Sequence, residues 1–392
     1  MRKIFHILAM IGLVLFTVAA TVLVMGRSGM IGYQDPVSQK VAQAAEVIDT
    51  VFVGEHDATL MGDAAVAAMI ASLGDRWSYY ISAEDYAAYE AQMTNSYVGI
   101  GITIQTQRQE NGLLVTDVTP GGPAEAAGIQ AGDILTEVEG QSVVELGREQ
   151  TVTQVRGEPG TEVNLTLLRG TERYDCAPVR QTVQDIVVES KLLADGIGYI
   201  SIDNFDLNSA EQTIAAVDAQ IEAGATALIF DVRNNPGGMK DELVEILDYL
   251  LADGQPVFTS KSYTGQTVTD YTEDGHAVDL PMAVLVNAES YSAAEFFAAA
   301  LQELEAARVV GEPTSGKGYF QITYPLSDGS AMAISSGEYF TPNGLSLANV
   351  GITPDETVSL SDEAAYQLYL GGLAETDDVQ LQAAIAWLEH GK

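Results

Sequence analysis

The chain has 392 residues, 55 of them acidic and 18 basic, for a formal charge of −37; so anionic a surface argues against nucleic acid or an anionic membrane surface as a partner of the folded body. At 47% hydrophobic content the chain can bury real cores, and at on the order of 150 residues per domain it divides into two or three. The single Cys176 forms no intrachain disulfide and has no His, Asp or Cys cluster around it, which points to neither a metal site nor a thiol enzyme.

After Met1-Arg2-Lys3, residues 4–25 carry no charge, a length that at 1.5 Å per residue crosses a bilayer core of about 30 Å. Arg2 and Lys3 keep that end cytoplasmic and place the following chain outside. The rival is a cleaved signal peptide, with FTVAAT near Ala20 as a weak cleavage site. The apolar stretch exceeds an ordinary signal core, so the expectation is a single-pass anchor over 1–26 in the cell membrane, with an extracytoplasmic body.

A linker with glycines (27–34) leads to Asp35-Pro36, an N-cap and first-turn proline, and Val41, Ala44, Ile48, Val51 and Phe52 follow at helical spacing. A second helix is predicted over 63–73, ending at Gly74, and a third begins at Ser82 with Asp85 as an approximate capping box. Residues 27–95 thus read as a helical N-terminal domain without chemistry of its own.

From Tyr97 the pattern changes to strands: SYVGIGITIQ, LLVTDV and ILTEVEG, with PGGPAEAAGIQAGD (120–133) supplying turn glycines and one short helix. A helix ending at Val155-Arg156-Gly157 and the strand VNLTLLR complete this segment near Val183. Strand and helix then alternate as in an α/β domain: GIGYISIDNF, a helix to about 223, the buried strand ALIFDVR, then Asn234-Asn235-Pro236-Gly237-Gly238 and the helix MKDELVEILDYLL. A strand, glycine turn and helix N-terminus make an anion cradle, but no GxxxxGK(S/T) follows, and Lys240 is misplaced for a phosphate.

MAVLVN (282–287) is a short strand, and SAAEFFAAALQEL has a helical apolar period. Ser292 therefore sits between strand and helix, at the positive end of the helix dipole and beside free backbone N–H groups. A lone serine there is ordinarily an N-cap. Lys317, 25 residues on, lies between glycines in TSGKGYFQ, and the four histidines, His6, His56, His276 and His390, are not convincingly placed to serve as its base. A neutral lysine amine is the alternative base for a nucleophilic serine. To be half neutral at pH 7, its pKa must fall from about 10.4, a cost of about 4.6 kcal/mol that desolvation can supply. Glu295, one turn from Ser292, reads as structural, since an anion there would raise the lysine.

These residues resemble the carboxyl-terminal processing proteases, serine peptidases of the S41 family that carry a PDZ domain. Their serine lies in a run of the type S-A-S-A-S-E, their lysine in G-K-G, and a glutamine four residues after the lysine; the matching positions here are Ser292, Lys317 and Gln321. The run reads E-S-Y-S-A-A-E, so Glu289, Tyr291 and Ala294 depart from the pattern and Ser290 is a competing hydroxyl. The segment 120–133 is similar to a bacterial PDZ domain. The resemblance implies an α/β, ClpP/crotonase-like catalytic domain (184–360), an inserted α+β PDZ domain (96–183), the helical segment after one transmembrane helix, and a helical tail (361–392).

It further implies an endopeptidase acting near substrate C-termini, with no cofactor. Gly238 or Gly237, with the Ala293 N–H, would form the oxyanion hole. Val98, Gly99, Ile100, Gly101 and Ile102 would bind a substrate tail by adding it to a strand edge. Partners would be proteins or peptides with apolar C-terminal tails, the membrane through the N-terminal helix, and a second copy if the helical domain dimerises. A crotonase-type acyl transfer enzyme and an inactive peptide-binding scaffold are the alternatives.

Overall fold

A computed structural model of the chain describes residues 35–105, 112–273 and 275–390. The expected anchor over 4–25 lies outside the described residues, and among these no helix is long and apolar enough to cross a membrane. The chain forms two compact units, 1–74 and 75–392.

In the first unit, Asp35 caps the helix Pro36–Val51 by accepting the N–H groups of Val37 and Ser38 at 3.3 and 3.2 Å. The second helix, Ala58–Ala71, begins earlier than predicted, because Asp57 caps it through Thr59 and Leu60. Gly74 takes φ +68° just after it.

The second unit is built on a six-stranded sheet: β1 (Val188–Leu192), β2 (Ile197–Ile202), β3 (Ala227–Asp231), β4 (Met282–Val286), β5 (Ala307–Gly311) and β6 (Glu356–Thr357), in that spatial order. Only β1 runs antiparallel to its neighbour; the other pairings are parallel. Every residue of β3 and β4 is buried, the mark of strands covered on both faces. Against one face pack α1 (Ser209–Glu222), α2 (Lys240–Leu250) and α3 (Ala293–Glu303), where Phe230 and Val284 meet Leu243, Leu247, Phe296 and Phe297. Against the other packs α4 (Val379–His390), whose Leu381, Ala384, Ile385 and Leu388 cover Ile229, Ala283, Leu285 and Val310. The C-terminal stretch therefore completes the core and is no appended tail. Buried Arg233, at the end of β3, ties the two together, donating to Asp231 at 2.9 Å, Asp378 at 2.8 Å and Gln380 at 3.0 Å.

A second sheet joins Tyr79–Ile81, Pro256–Ser262, Thr267–Tyr271, Tyr319–Pro325 and Ala331–Phe340. Its first strand pairs Tyr79 with Ala333, so residues 75–95, assigned above to a helical N-terminal domain, belong to the second unit. The reason is non-local: a three-residue strand is secured by a partner some 250 positions away.

The predicted continuous strand 96–105 breaks at Gly101, whose φ of +75° turns the chain. Ser96–Gly99 pairs with Gln181–Gln184 as a separate two-stranded ribbon, while Ile102–Ile104 pairs with Leu113–Val118. Between the ribbon's strands lies a small β module with its own core of Ile100, Leu113, Val115, Leu135, Val138, Leu165 and Leu167. Asp133, buried in the glycine-rich motif, accepts Arg169 at 2.8 Å, the Tyr174 hydroxyl at 2.6 Å and the Gln130 N–H at 2.8 Å. An unpaired buried carboxylate would be costly; here every approach carries a donor.

Candidate active site

The turn from β4 to α3 holds Ser292 at φ 51° and ψ −117°, a conformation that costs a non-glycine residue about 1–3 kcal/mol. Its surroundings impose it. The Ser292 N–H donates to the Glu295 carboxylate at 2.9 Å, and the Tyr291 N–H to the Asn235 carbonyl at 2.9 Å. The Asn287 side chain clamps Asn234, donating to its side-chain oxygen at 2.8 Å and accepting its N–H at 2.9 Å. Ser290, the competing hydroxyl, is fully buried and donates to the Val232 carbonyl at 2.8 Å. Its hydroxyl is committed to the fold, and the one that lines the cleft is Ser292.

Beside this turn lies the second, 234–238. Asn235 donates to the Ile202 carbonyl at 2.7 Å and accepts the Gly237 N–H at 2.8 Å. Gly237 therefore has no N–H to offer an oxyanion, whereas those of Gly238 and Ala293 have no acceptor among the described residues. Gly237 is required sterically: with φ +92°, a Cβ there would lie 2.8 Å from the Cβ of Ser292. Gly238 is pressed harder still, a Cβ falling 2.2 Å from the Phe205 carbonyl carbon.

Lys317 reaches the same cleft from the loop before Tyr319–Pro325. Glu295, wholly buried, organises that loop: it accepts the Thr314 hydroxyl at 2.6 Å, the Gly316 N–H at 2.7 Å and the Lys317 N–H at 2.8 Å. The cleft, about 190 Å³, is lined by Ser292, Lys317, Gln321, Gly238, Asp206 and Tyr339 among others, and by no histidine. Burial pushes the Lys317 amine below the ordinary lysine range, opposed by the negative charges of Glu295 and Asp206. Its Nζ lies 5.1 Å from the centre of the Trp77 ring, and no hydrogen bond joins it to Ser292. The Gln321 side-chain amide donates to the Tyr319 carbonyl and the Ser335 hydroxyl, both at 3.1 Å. A register shift between Phe320 and Gln321 puts it opposite Ser335. Asp206, which lines the cleft, and Trp77, whose ring lies beside the lysine amine, are residues that sequence reasoning missed, since neither stands in a motif near the serine or the lysine.

The β module has a cleft of about 270 Å³ between Ile102–Ile104 and the helix Arg148–Val155, lined by Ile100, Gly101, Ile102, Val152 and Val155 among others. Val98 and Gly99, expected there, are instead paired with Thr182 and Gln181 in the ribbon. Tyr97, on the same strand, does line the cleft.

Residues 196–358 match Peptidase family S41, and residues 90–168 match the PDZ domain. A "Probable CtpA-like serine protease" of Staphylococcus haemolyticus is 31% identical over 360 residues, 90% of this chain and 72% of that protein. One of the same description from Staphylococcus epidermidis is 30% identical over 367 residues, covering 91% and 74%. An S41 protease structure from Bacteroides fragilis superposes with a TM-score of 0.53 at 15% identity, over 88% of this chain and 94% of that one, which is a likeness of fold. By these relationships the chain belongs to the carboxyl-terminal processing proteases of peptidase family S41, and is a serine-type peptidase with a PDZ domain.

Proposed function

We propose that the protein is an endopeptidase that cleaves extracytoplasmic proteins near their C-termini through a Ser292–Lys317 acyl-enzyme mechanism. The observation that carries this reading is the convergence of a serine at a strained strand-to-helix turn, a half-buried lysine in the same cleft, and two N–H groups without acceptors among the described residues. In the step proposed, the Ser292 Oγ attacks the scissile carbonyl while its proton passes to the Lys317 Nζ. The Gly238 and Ala293 amides receive the oxyanion. The C–N bond then breaks, Lys317 returns the proton to the departing amine, and water hydrolyses the ester. Gln321 would contribute through its side-chain carbonyl, its amide nitrogen being engaged elsewhere.

The PDZ groove would take the substrate's apolar tail, with Gly101 and Ile102 offering a strand edge and Val152 and Val155 an apolar wall. Tail binding would also gate the site, since an always-active peptidase outside the cell is hazardous. Residues 4–25 would anchor the enzyme in the membrane, with its body extracytoplasmic. The test is a mass-spectrometric comparison of extracytoplasmic proteins exposed to active enzyme or to Ser292→Ala: new C-termini are expected only with the active form, and N-terminal trimming alone would sink the reading. Lys317→Ala must be equally inactive near neutral pH while folded. Gating is tested by adding an uncleavable apolar-ended peptide to a short saturating substrate; a rise in kcat that is lost on Gly101→Trp is expected.

A further inference from the structure

Asp206 is an unusual occupant of the cleft. Its side chain is 5% exposed, and its Oδ1 is buried with no hydrogen-bond partner among the described residues. Burying a carboxylate oxygen unpaired is costly unless another charge compensates it. The charge available is the Lys317 ammonium, which lines the same cleft.

The backbone holds Asp206 there. Phe205 donates to the Gly237 carbonyl at 2.8 Å and accepts the Met239 N–H at 2.7 Å, so its segment is bonded to the turn beside Ser292. Asn204 accepts the Asp206 N–H at 2.9 Å. Three titratable groups face the carboxyl: Lys317, Glu242 from α2, and Tyr79 from the second sheet. Glu242 is oriented by accepting the Ala210 N–H at 2.8 Å. Tyr79, pushed up to about 12 by burial, stays neutral. Lys317 in turn is faced by Glu295 and Asp206, and Glu295 already has four donors. Of these two anions, only Asp206 has an oxygen left to attract the amine.

We propose that Asp206 is a positioning residue of this peptidase, whose carboxylate holds the proton on Lys317 and so fixes the pH at which the base becomes neutral. The proposal rests on the reading of Lys317 as the base. Burial foremost, and then Glu242, raises Asp206 to about 7, with Lys317 opposing, so its charge changes in the range where a peptidase works. Where Asp206 is ionised it keeps the amine charged. Where it is removed, burial acts on the lysine with less opposition.

The experiment measures kcat/KM on a short peptide, and the rate of Ser292 labelling by a fluorophosphonate, against pH in the full chain. In the wild type both rise with pH as Lys317 loses its proton. Asp206→Asn should move that rise to lower pH by about one unit, giving up to about tenfold faster labelling on the slope. Glu242→Gln should move it the other way, since removing that charge eases ionisation of Asp206. An Asp206→Asn enzyme that folds as the wild type does but keeps the wild-type profile overturns the inference. Should Asp206→Asn fail to fold, Glu242→Gln decides: a profile unmoved or shifted to lower pH overturns it. Failure of the wild type to label at Ser292 would instead bring down the Ser–Lys reading, and this inference with it.

Discussion

Glu295 and Lys317 are joined through the lysine's backbone and not its side chain: the carboxylate oxygen that accepts the Lys317 N–H at 2.8 Å also accepts the Ser292 N–H at 2.9 Å. One buried anion thus sets the spacing between the two turns that carry the proposed nucleophile and base. Glu295→Gln places an amide nitrogen against N–H donors. It should cost about 2–4 kcal/mol, since hydrogen bonds to buried charge are worth about 1.5–3 kcal/mol each, and should slow acylation more than it weakens substrate binding. Denaturant unfolding and the separation of kcat from KM check both parts.

Gly237→Ala separates a steric from an electrostatic role. Its N–H is already bonded to Asn235, and its new Cβ would press on the Cβ of Ser292. The expected result is at least a tenfold loss of kcat per folded enzyme on a short peptide, with some loss of thermal stability, since the Cβ also meets the Tyr291 carbonyl oxygen at 2.8 Å. Gly238→Ala collides with the Phe205 backbone and should lower thermal stability sharply in a melting scan.

Lysine burial should be visible in stability. Lys317 has a folded-state pKa below its unfolded value, so between those two values the unfolded chain binds more protons and stability rises with pH. The penalty is complete below the folded pKa and vanishes above the unfolded value, about 10.4. Lys317→Met should therefore be more stable than wild type at neutral pH, with the gap narrowing as pH climbs toward that value. Urea unfolding at several pH values tests this; a gap independent of pH would contradict it.

The ribbon that carries the PDZ module is fastened beside the cleft by Asn95, whose side chain exchanges hydrogen bonds of 2.9 and 3.0 Å with Asn204 and donates to the Leu207 carbonyl at 3.0 Å. Asn204 in turn holds Asp206. Asn95→Ala leaves these groups unpaired, a loss of about 1–3 kcal/mol. If tail binding gates the site through this contact, the variant should bind the uncleavable peptide as the wild type does but no longer respond to it. Calorimetry together with kcat would show this.

Much of the chain was legible locally because its signals are local. Asp35 and Ser82 announced helix starts through their own side chains, ALIFDVR and MAVLVN announced buried strands by unbroken apolar content, and the small-residue run with G-K-G marked Ser292 and Lys317. Other features depend on partners far along the chain. Whether Gly237 or Gly238 presents a free N–H was decided by the Asn235 side chain, and Gln321 turned to Ser335 because of a strand register. Val98 and Gly99 do not line the groove, although Tyr97 of the same ribbon strand does. The C-terminal helix, amphipathic in sequence, became a core element only because a parallel sheet has two faces to cover. Trp77 and Asp206 carry no motif, and only the closing of two sheets around the cleft brings them to Lys317. Spacing along the chain determined the chemistry on offer; burial and the pairing of donors with acceptors, which are properties of the packed molecule, decided which groups remain free to use it.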